Sequence, residues 1–392
     1  MKKLLFIAVL CLLGVQVFAQ EKTKDFTPDK LANFANFSKN PLCKQQFFTN
    51  PNTKEEDVRS CDLSAYDLTN LPPQTLNKLT FDDKTIWPAK MPKWLNIKKI
   101  YQTGKTPGLN IKKLHKKGIT GKGVSIAIID QTLSPHQEYN ENIAFYKDFT
   151  GSDYAFLHGP AVASIAVGQD VGVAPEAKLY YVAINFKDYN KEKGIFNATT
   201  AAQTINYLLD LNKTLPEKDK IFVISISRGF NETDYGRKEF LNALEKAKEQ
   251  NILVLTTDDV FTVSRPCYYA NPDKISSYTK PAPWFEERNI SRYLNINDIC
   301  VPTDYRIIAS PTGENDYVAY SDGGLSWAVP YLAGIAALAK QVNPDLTPQE
   351  FMYIAHKTAQ NVEVKKGNSS AKAKYFINPQ ALIKELQKTK NK

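Results

Sequence analysis

From about residue 105 onward, short apolar runs rich in β-branched residues alternate with longer stretches of helical periodicity in this 392-residue chain. Apolar runs of this kind are typical of parallel strands that are buried on both faces, because helices cover the sheet on either side. The alternation therefore predicts an α/β fold with a central, mostly parallel sheet and a ligand site at the carboxyl ends of the strands. The predicted strands are Val124–Ile129, Lys178–Ile184, Ile221–Ile226 and Ile252–Leu255, and the predicted helices are Ala201–Leu211, Arg237–Gln250, Ala328–Gln341 and Pro348–Thr358.

The composition excludes several other classes of protein. An apolar content of 43% supports a full hydrophobic core, and 18 glycines with 22 prolines are too few for a collagen-like or low-complexity chain. The formal charge of +9 is spread over mixed-sign runs, without a basic stripe that carries interleaved aromatic residues. We therefore expect no nucleic-acid partner.

The first residues have the pattern of a signal peptide. Lys2 and Lys3 precede the apolar run Leu4–Val15, and Val17–Ala19 forms a small-residue cleavage site. The pattern predicts a signal peptide over residues 1–19, cleavage after Ala19, and a secreted or periplasmic protein. The apolar run is too short to cross a bilayer, so we expect no membrane anchor.

Removal of the signal peptide leaves four cysteines, Cys43, Cys61, Cys267 and Cys300. In an exported protein these four allow three pairings. Proximity in sequence favours Cys43 with Cys61 and Cys267 with Cys300, although geometry decides the pairing and any of the four can instead be a free buried thiol.

Residues 20–105 differ from the rest of the chain in being polar and rich in Asn, Lys, Thr and Pro. They include two pentapeptide-like copies, Asp62–Tyr66 and Asp67–Leu71, which are fewer than a repeat architecture needs. We interpret residues 20–105 as an N-terminal accessory segment or a pro-segment, and residues 106–392 as the main domain.

Three residues near the ends of predicted strands have side chains that could take part in catalysis. Asp130 directly follows the first strand, His158 opens a stretch of small residues, and Ser326 follows a glycine pair just before a predicted helix. Each has an ordinary alternative, namely a turn aspartate, a structural histidine and a helix N-cap serine. The glycines Gly121 and Gly123 precede their strand rather than follow it, so they do not fit a dinucleotide-binding turn.

The order Asp, His, Ser on a parallel α/β scaffold is one of the known triad orders. Over roughly residues 118–360 the chain resembles the subtilisin-like serine peptidases. The resemblance rests on Gly121–Asp130, on His158–Gly168 with the Gly-Val-Ala-Pro run 172–175, and on Gly324–Gly334 with its Ser-x-Ala-x-Pro-x-x-Ala-Gly spacing.

This resemblance implies a three-layer subtilisin-like fold and a role for each residue of the triad. Ser326 would be the nucleophile, His158 the general base and then acid, and Asp130 the group that orients the imidazole. The segment Ser227, Arg228 and Gly229 stands where the family binds the backbone of an extended polypeptide substrate, although Arg228 is equally compatible with a surface arginine.

The chain departs from the family at the oxyanion site. Family members carry an asparagine after the strand that corresponds to Ile252–Leu255, whereas here Thr256, Thr257, Asp258 and Asp259 follow. Asp259 is the best positional match, with a one-residue ambiguity against Asp258, and only a protonated carboxyl could donate a hydrogen bond there. No ligand spacing for a metal is recognisable; structural calcium is common in the family but cannot be assigned here, so no cofactor is expected.

The sequence therefore predicts a secreted serine endopeptidase that acts through an acyl-enzyme. The alternative is a catalytically impaired relative that retains the fold as a binding or scaffold protein, which the oxyanion departure motivates. A lipase-like esterase is disfavoured because that fold needs a Gly-x-Ser-x-Gly turn and places its histidine last in the chain.

Overall fold

The computed structural model describes residues 24–36, 43, 46–49, 55–186, 188–281 and 297–390. The predicted signal peptide lies outside these residues. The described strands are β1 (Glu56–Asp57), β2 (Leu79–Asp82), β3 (Ser125–Asp130), β4 (Ile143–Asp148), β5 (Lys178–Ala183), β6 (Asp188–Asn190), β7 (Ile195–Phe196), β8 (Ile221–Ile226), β9 (Leu253–Leu255), β10 (Val260–Ser264), β11 (Ile299–Thr303), β12 (Arg306–Ala309), β13 (Tyr317–Tyr320), β14 (Gln360–Lys366) and β15 (Ser369–Phe376).

The described α-helices alternate with these strands over most of the chain. All four predicted helices and all four predicted strands are present. The helices are α1 (Ile97–Gly104), α2 (Ile111–His115), α3 (His158–Val167), α4 (Thr199–Thr214), α5 (Arg237–Glu249), α6 (Gly324–Val342), α7 (Pro348–Lys357) and α8 (Pro379–Lys390).

A five-stranded parallel sheet in the order β4-β5-β3-β8-β9 forms the centre of the fold. Alternate residues of β3 point to opposite faces, as the pleat of a strand requires. Ile126 and Ile128 pack with α3 and α6 on one face, and Ala127 and Ile129 pack with α4 and α5 on the other. This arrangement of helices on both faces confirms the predicted three-layer α/β fold.

Two further sheets flank the centre. Strands β10, β11, β15 and β14 form one sheet, in which β14 and β15 make an antiparallel hairpin. The other has the order β1-β2-β13-β12, and its middle pair joins β2, from the N-terminal region, to β13 in antiparallel register. A strand from before residue 105 therefore pairs with the strand that leads to Ser326.

The contact between β2 and β13 is buried and polar as well as hydrogen-bonded along the backbone. Thr80 Oγ1 accepts from the backbone N–H of Ser321 at 3.0 Å and lies 2.8 Å from the Ser321 hydroxyl. Phe81, on the same strand, is fully buried and packs edge-on against Trp87 and Tyr101. Residues 55–104 thus share a hydrophobic cluster with the main domain.

One of the two expected disulfides is present. Cys43 and Cys61 are bonded, but the expected pairing of Cys267 with Cys300 is wrong, because both are free thiols. Cys300 on β11 is level with Phe261 on β10, and Ser264 already lies about 10 Å further along that strand at 3.3 Å per residue. Cys267 follows beyond Ser264 in another hydrophobic cluster, out of range of the roughly 7 Å between Cα atoms that a disulfide tolerates.

Candidate active site

A cleft of about 460 Å³ opens at the carboxyl ends of β3, β5 and β8. Strands that run parallel end at the same edge of a sheet, so the residues that follow them share this edge. All three candidate triad residues line the cleft. The full lining is Asp130, Gln131, His158, Ile184, Asn185, Phe186, Ser227, Arg228 and Ser326.

Asp130 and His158 form the central hydrogen bond of the cleft. Asp130 is the last residue of β3, its side chain is 1% exposed, and its Oδ1 lies 2.6 Å from His158 Nδ1. The same oxygen accepts from the backbone N–H of Gln131 at 2.8 Å. These contacts hold the Nδ1 side of the imidazole against the end of β3.

Opposing effects set the charge state of His158. Burial lowers the pKa of its imidazole, whereas the negative charge of Asp130 and the hydrogen bond to it raise the pKa by more. The net result is a pKa above the ordinary histidine value of 6.5. The imidazole also packs near the ring of Trp327, with 5.2 Å between the two ring centroids.

Ser326 is the third residue of α6, which begins at Gly324 rather than after the serine as the sequence suggested. The helix is capped by Gly323, so Ser326 is not the N-cap. Its backbone N–H belongs to the first turn, where amides have no partner within the helix and the helix dipole favours negative charge. Its hydroxyl donates to the carbonyl of Ser227 at 3.3 Å, and the Ser227 hydroxyl donates back to the carbonyl of Ser326 at 2.9 Å.

The glycine pair before Ser326 is required by close packing and by backbone conformation. A Cβ atom on Gly323 would lie 1.6 Å from Cδ1 of Trp327, so no side chain fits there. Gly324 has a φ of +55°, in the left-handed region that glycine adopts at no steric cost. The turn therefore brings Ser326 into the cleft while Trp327 lies beneath it.

Ser227, Arg228 and Gly229 follow β8; Ser227 and Arg228 form one wall of the cleft, whereas Gly229 is not among its lining residues. The Arg228 guanidinium lies over the ring of Phe196 at 3.6 Å, so this arginine packs on an aromatic side chain at the rim. A Cβ on Gly229 would lie 2.1 Å from Oδ1 of Asp258, which explains the glycine.

Both candidate oxyanion residues are bound to nearby backbone amides. Asp259 Oδ2 accepts from the backbone N–H and the hydroxyl of Thr256, at 2.8 and 2.7 Å. Asp258 Oδ2 accepts from the backbone N–H of Phe230 at 3.3 Å. Burial raises the pKa of Asp259, against the two hydrogen bonds from Thr256 that lower it. Neither carboxyl is among the groups that line the cleft.

Four cleft residues were not candidate site residues in the sequence: Gln131, Ile184, Asn185 and Phe186. Gln131 follows Asp130 directly, while Asn185 and Phe186 follow β5, the neighbouring strand. The side-chain amide of Asn185 donates to the carbonyl of Thr150 at 3.2 Å. The sequence offered one indication of Asn185 and Phe186: they follow the end of the predicted strand Lys178–Ile184. The carboxyl end of every central strand points toward this edge of the sheet.

The remaining histidines lie elsewhere and bond to main-chain carbonyls. His115 contacts the carbonyl of Val173 at 2.7 Å, and His136 contacts that of Asp316 at 2.8 Å. Burial lowers the pKa of His136 to about 4. Within the described ranges, no three His, Cys, Asp or Glu side chains converge in a way that could hold a metal ion.

Comparison with known proteins finds proteases that are similar to this chain. The serine protease AprX of Bacillus subtilis (strain 168) is 25% identical over 306 residues, which cover 65% of this chain and 67% of that protein. The minor extracellular protease Epr of the same organism is 27% identical over 250 residues, covering 60% of this chain and 35% of Epr. The matched region thus spans between about one third and two thirds of the length of these relatives.

Among solved structures, the prenylagaramide maturation protease PagA shares the fold, with a TM-score of 0.50 and 17% identity over 70% of this chain and 98% of PagA. The sequence profile of the Subtilase family matches residues 121–375, which is more than half of the chain and includes β3, α3 and α6. The chain therefore belongs to the Subtilase family.

Proposed function

We propose that the protein is a serine endopeptidase that hydrolyses peptide bonds through Ser326, His158 and Asp130. The observation that carries this proposal is the 2.6 Å hydrogen bond between Asp130 and His158 in a cleft that Ser326 also lines. An acid that orients an imidazole beside an alcohol is the arrangement that activates a serine. Membership of the Subtilase family supports the same assignment.

In this mechanism the Ser326 hydroxyl attacks the carbonyl carbon of the scissile bond and passes its proton to Nε2 of His158. The imidazolium, stabilised by Asp130, then gives that proton to the leaving amine as the C–N bond breaks. Water hydrolyses the resulting ester by the same steps, and Ser326 regains its proton. Because the Ser326 hydroxyl now donates to Ser227, it has to turn toward His158 when substrate binds, as catalytic hydrogen bonds often tighten only in the complex.

A polypeptide in extended conformation fits this cleft best. The walls are formed by loops that follow parallel strands: Ser227 and Arg228 follow β8, and Asn185 and Phe186 follow β5. Such loops present backbone groups to which a substrate strand can hydrogen-bond. Arg228 gives this wall a positive charge at the rim, so it is the residue that we assign to substrate contact there.

The negative oxygen of the tetrahedral intermediate needs a donor. The backbone N–H of Ser326, in the first turn of α6, supplies one. Asp259 remains our candidate for a second donor: burial raises the pKa of its carboxyl, and only the protonated form can donate to the oxyanion. Its use requires that the carboxyl release Thr256.

We further propose that residues 20–105 stay with the enzyme as an accessory segment rather than leave it as a pro-segment. Removal would strip β2 from β13 and expose Phe81, which is fully buried. It would also remove Thr80, which bonds to Ser321 five residues before Ser326. An enzyme without this segment would lose support for the strand that leads to its nucleophile.

Export with cleavage after Ala19 is likewise part of the proposal. The bond between Cys43 and Cys61 supports an oxidising compartment. In the described part of the chain, no helix has the length and apolar character needed to cross a membrane.

Replacement of Ser326 by Ala should abolish labelling by a fluorophosphonate probe and reduce peptide hydrolysis by about a millionfold, since the triad acts as a unit. In-gel fluorescence of the purified, folded protein measures the labelling. Ser276→Ala, at an exposed serine far along the chain, is the matched control and should be labelled like the wild type. A folded wild-type protein without labelling would contradict the proposal and favour the binding or scaffold alternative.

Replacement of Asp130 by Asn should shift the pKa of His158 downward, below 6.5, because burial then acts without the opposing carboxylate. The wild-type His158 pKa is raised, so the stability that this pair provides is present below pH 6.5 and is lost as pH rises through the raised value. The Asp130→Asn variant should lack this pH-dependent stabilisation, and its kcat should be about 10⁴-fold lower than that of the wild type. Proton NMR titration of the histidine rings tests the shift without depending on activity, with the exposed Asp153→Asn as control; an unchanged His158 titration would refute the coupling.

Replacement of Asp259 by Ala should lower kcat on the order of a hundredfold with little change in KM, the cost of one oxyanion donor. Steady-state hydrolysis of a chromogenic peptide measures both constants. Asp258→Ala is the matched control at the neighbouring position and should have the smaller effect. If Asp259→Ala were as active as the wild type, Asp259 would not be an oxyanion donor, and its role would be to stabilise the turn at Thr256.

The N-terminal sequence of the active, secreted protein should begin near Gln20, and intact mass should include residues 55–104. Edman sequencing and mass spectrometry of probe-labelled protein provide the measurement. The Ser326→Ala variant, which cannot process itself, is the reference for the uncut chain. Labelled protein that begins near residue 106 would show instead that the segment is a pro-segment.

A further inference from the structure

The strap, which we define as residues 24–36, lies against β4, the strand at one edge of the central sheet. The backbone N–H of Asp29 donates to the carbonyl of Tyr146 at 2.8 Å, and Asp29 Oδ2 accepts from the backbone N–H of Asp148 at 2.9 Å. Lys147, whose side chain is 12% exposed, forms an ion pair with Asp29 at 3.3 Å. The strap therefore covers part of an edge that would otherwise present unpaired backbone groups.

Beyond β4 the strap bonds to the segment that follows Asp130. The backbone N–H of Ala32 donates to the carbonyl of Leu133 at 2.8 Å, and both side chains are buried. The first turn of α3 packs on the same segment, because a Cβ on Gly159 would lie 2.5 Å from the carbonyl oxygen of Gln131. The strap and the start of α3 thus contact one short stretch of chain, and interiors packed this closely transmit a displacement from one neighbour to the next.

The strap also bonds to the loop that leads into His158. Asn33 forms a parallel bridge with Tyr154. Its backbone N–H donates to the carbonyl of Asp153 at 2.8 Å, and its carbonyl accepts from the backbone N–H of Ala155 at 2.9 Å. The strap therefore holds this loop just before α3 begins.

The loop 149–157 has few other anchors. It contains no helix or strand, and three of its aromatic side chains are about half exposed, those of Phe149, Tyr154 and Phe156. Three hydrogen bonds tie residues 153–155 to other segments of the described chain: two with Asn33, and one from the Thr132 hydroxyl to the carbonyl of Tyr154 at 2.9 Å. Because a segment with few buried contacts opens locally at low cost, loss of the strap bonds would loosen it.

We propose that Ala32 and Asn33 are positioning residues for Asp130 and His158. Through them, the segment after Asp130 and the loop before His158 are bonded to one short stretch of backbone, which holds the two side chains at their hydrogen-bond distance of 2.6 Å. Neither strap residue lines the cleft, so the strap acts on catalysis only through this pair. The catalytic part of this assignment rests on the proposed function, whereas the effect of the strap on the hydrogen bond does not.

The experiment removes the two strap amides one at a time from the protein that carries the whole strap. Asn33→Pro removes the N–H that donates to Asp153, and Ala32→Pro removes the N–H that donates to Leu133, because proline has no backbone donor. Asn33→Ala is the matched control, since it keeps the backbone N–H and C=O of residue 33 and changes only an exposed side chain. Asp29→Ala is a milder third variant that removes only a side-chain anchor of the strap at β4.

Three measurements are made on each variant and on the wild type. The downfield proton NMR signal of the His158 Nδ1–H reports on the hydrogen bond to Asp130 and does not depend on activity. Steady-state hydrolysis of a chromogenic peptide gives kcat and KM, and thermal unfolding gives Tm. A strap with a purely structural role would lower Tm and leave the proton signal and kcat unchanged.

We expect both proline variants to move the Nδ1 proton signal upfield and to lower kcat on the order of ten- to a hundredfold with KM maintained. The reason is that a displacement of about 1 Å, caused far from the reacting atoms, costs up to about this much. Asp29→Ala should change both quantities in the same direction by less, and Asn33→Ala should match the wild type. The proline variants remove different bonds, so if one fails to fold, the other and Asp29→Ala decide.

An Nδ1 proton signal at the wild-type position in the proline variants that fold would overturn the inference, even if their Tm falls. If neither proline variant folds, a wild-type signal in Asp29→Ala would overturn it. A displaced signal with a wild-type kcat would overturn the catalytic part. Wild-type protein that neither reacts with a fluorophosphonate probe nor cleaves peptides would contradict the proposed function, and the proton signal would still decide whether the strap holds Asp130 and His158 together.

Discussion

Parallel pairing of β3 with its two neighbours is the constraint on which the rest of the structure depends. In register, Asp130 is level with Ala183 on β5, and Ile129 is level with Ile226 on β8. The chain segments that leave these three strands must therefore begin at one edge of the sheet. The positions of Asp130 and of the wall residues Ser227 and Arg228 follow from that alignment.

Close packing of two helices brings His158 and Ser326 to the same edge of the sheet. Helices α3 and α6 cover one face of the sheet and contact each other. A Cβ on Gly334 of α6 would lie 2.6 Å from Cβ of Val173 and 3.1 Å from the carbonyl oxygen of Ala166, so glycine is needed for this approach. Because His158 and Ser326 lie in the first turns of these two helices, the packing of the later turns sets the separation of their two side chains.

Burial connects the chemistry of the cleft to the polar groups behind it. Removal from water raises the pKa of Asp259, and it strengthens the attraction between Asp130 and His158. The same low-dielectric setting makes unpaired charge expensive, so each of these carboxyls accepts hydrogen bonds.

The sequence by itself determined the layered α/β fold and the alternation of strands and helices, and it named Asp130, His158 and Ser326 as candidates, because apolar periodicity and local motifs are encoded within short stretches. It also favoured the bond between Cys43 and Cys61, which are close along the chain. Only the tertiary structure decided that Cys267 and Cys300 remain apart and that Thr80 meets Ser321. Those outcomes depend on strand register and on contacts between residues far apart in sequence, and no local pattern records which distant surfaces pack together.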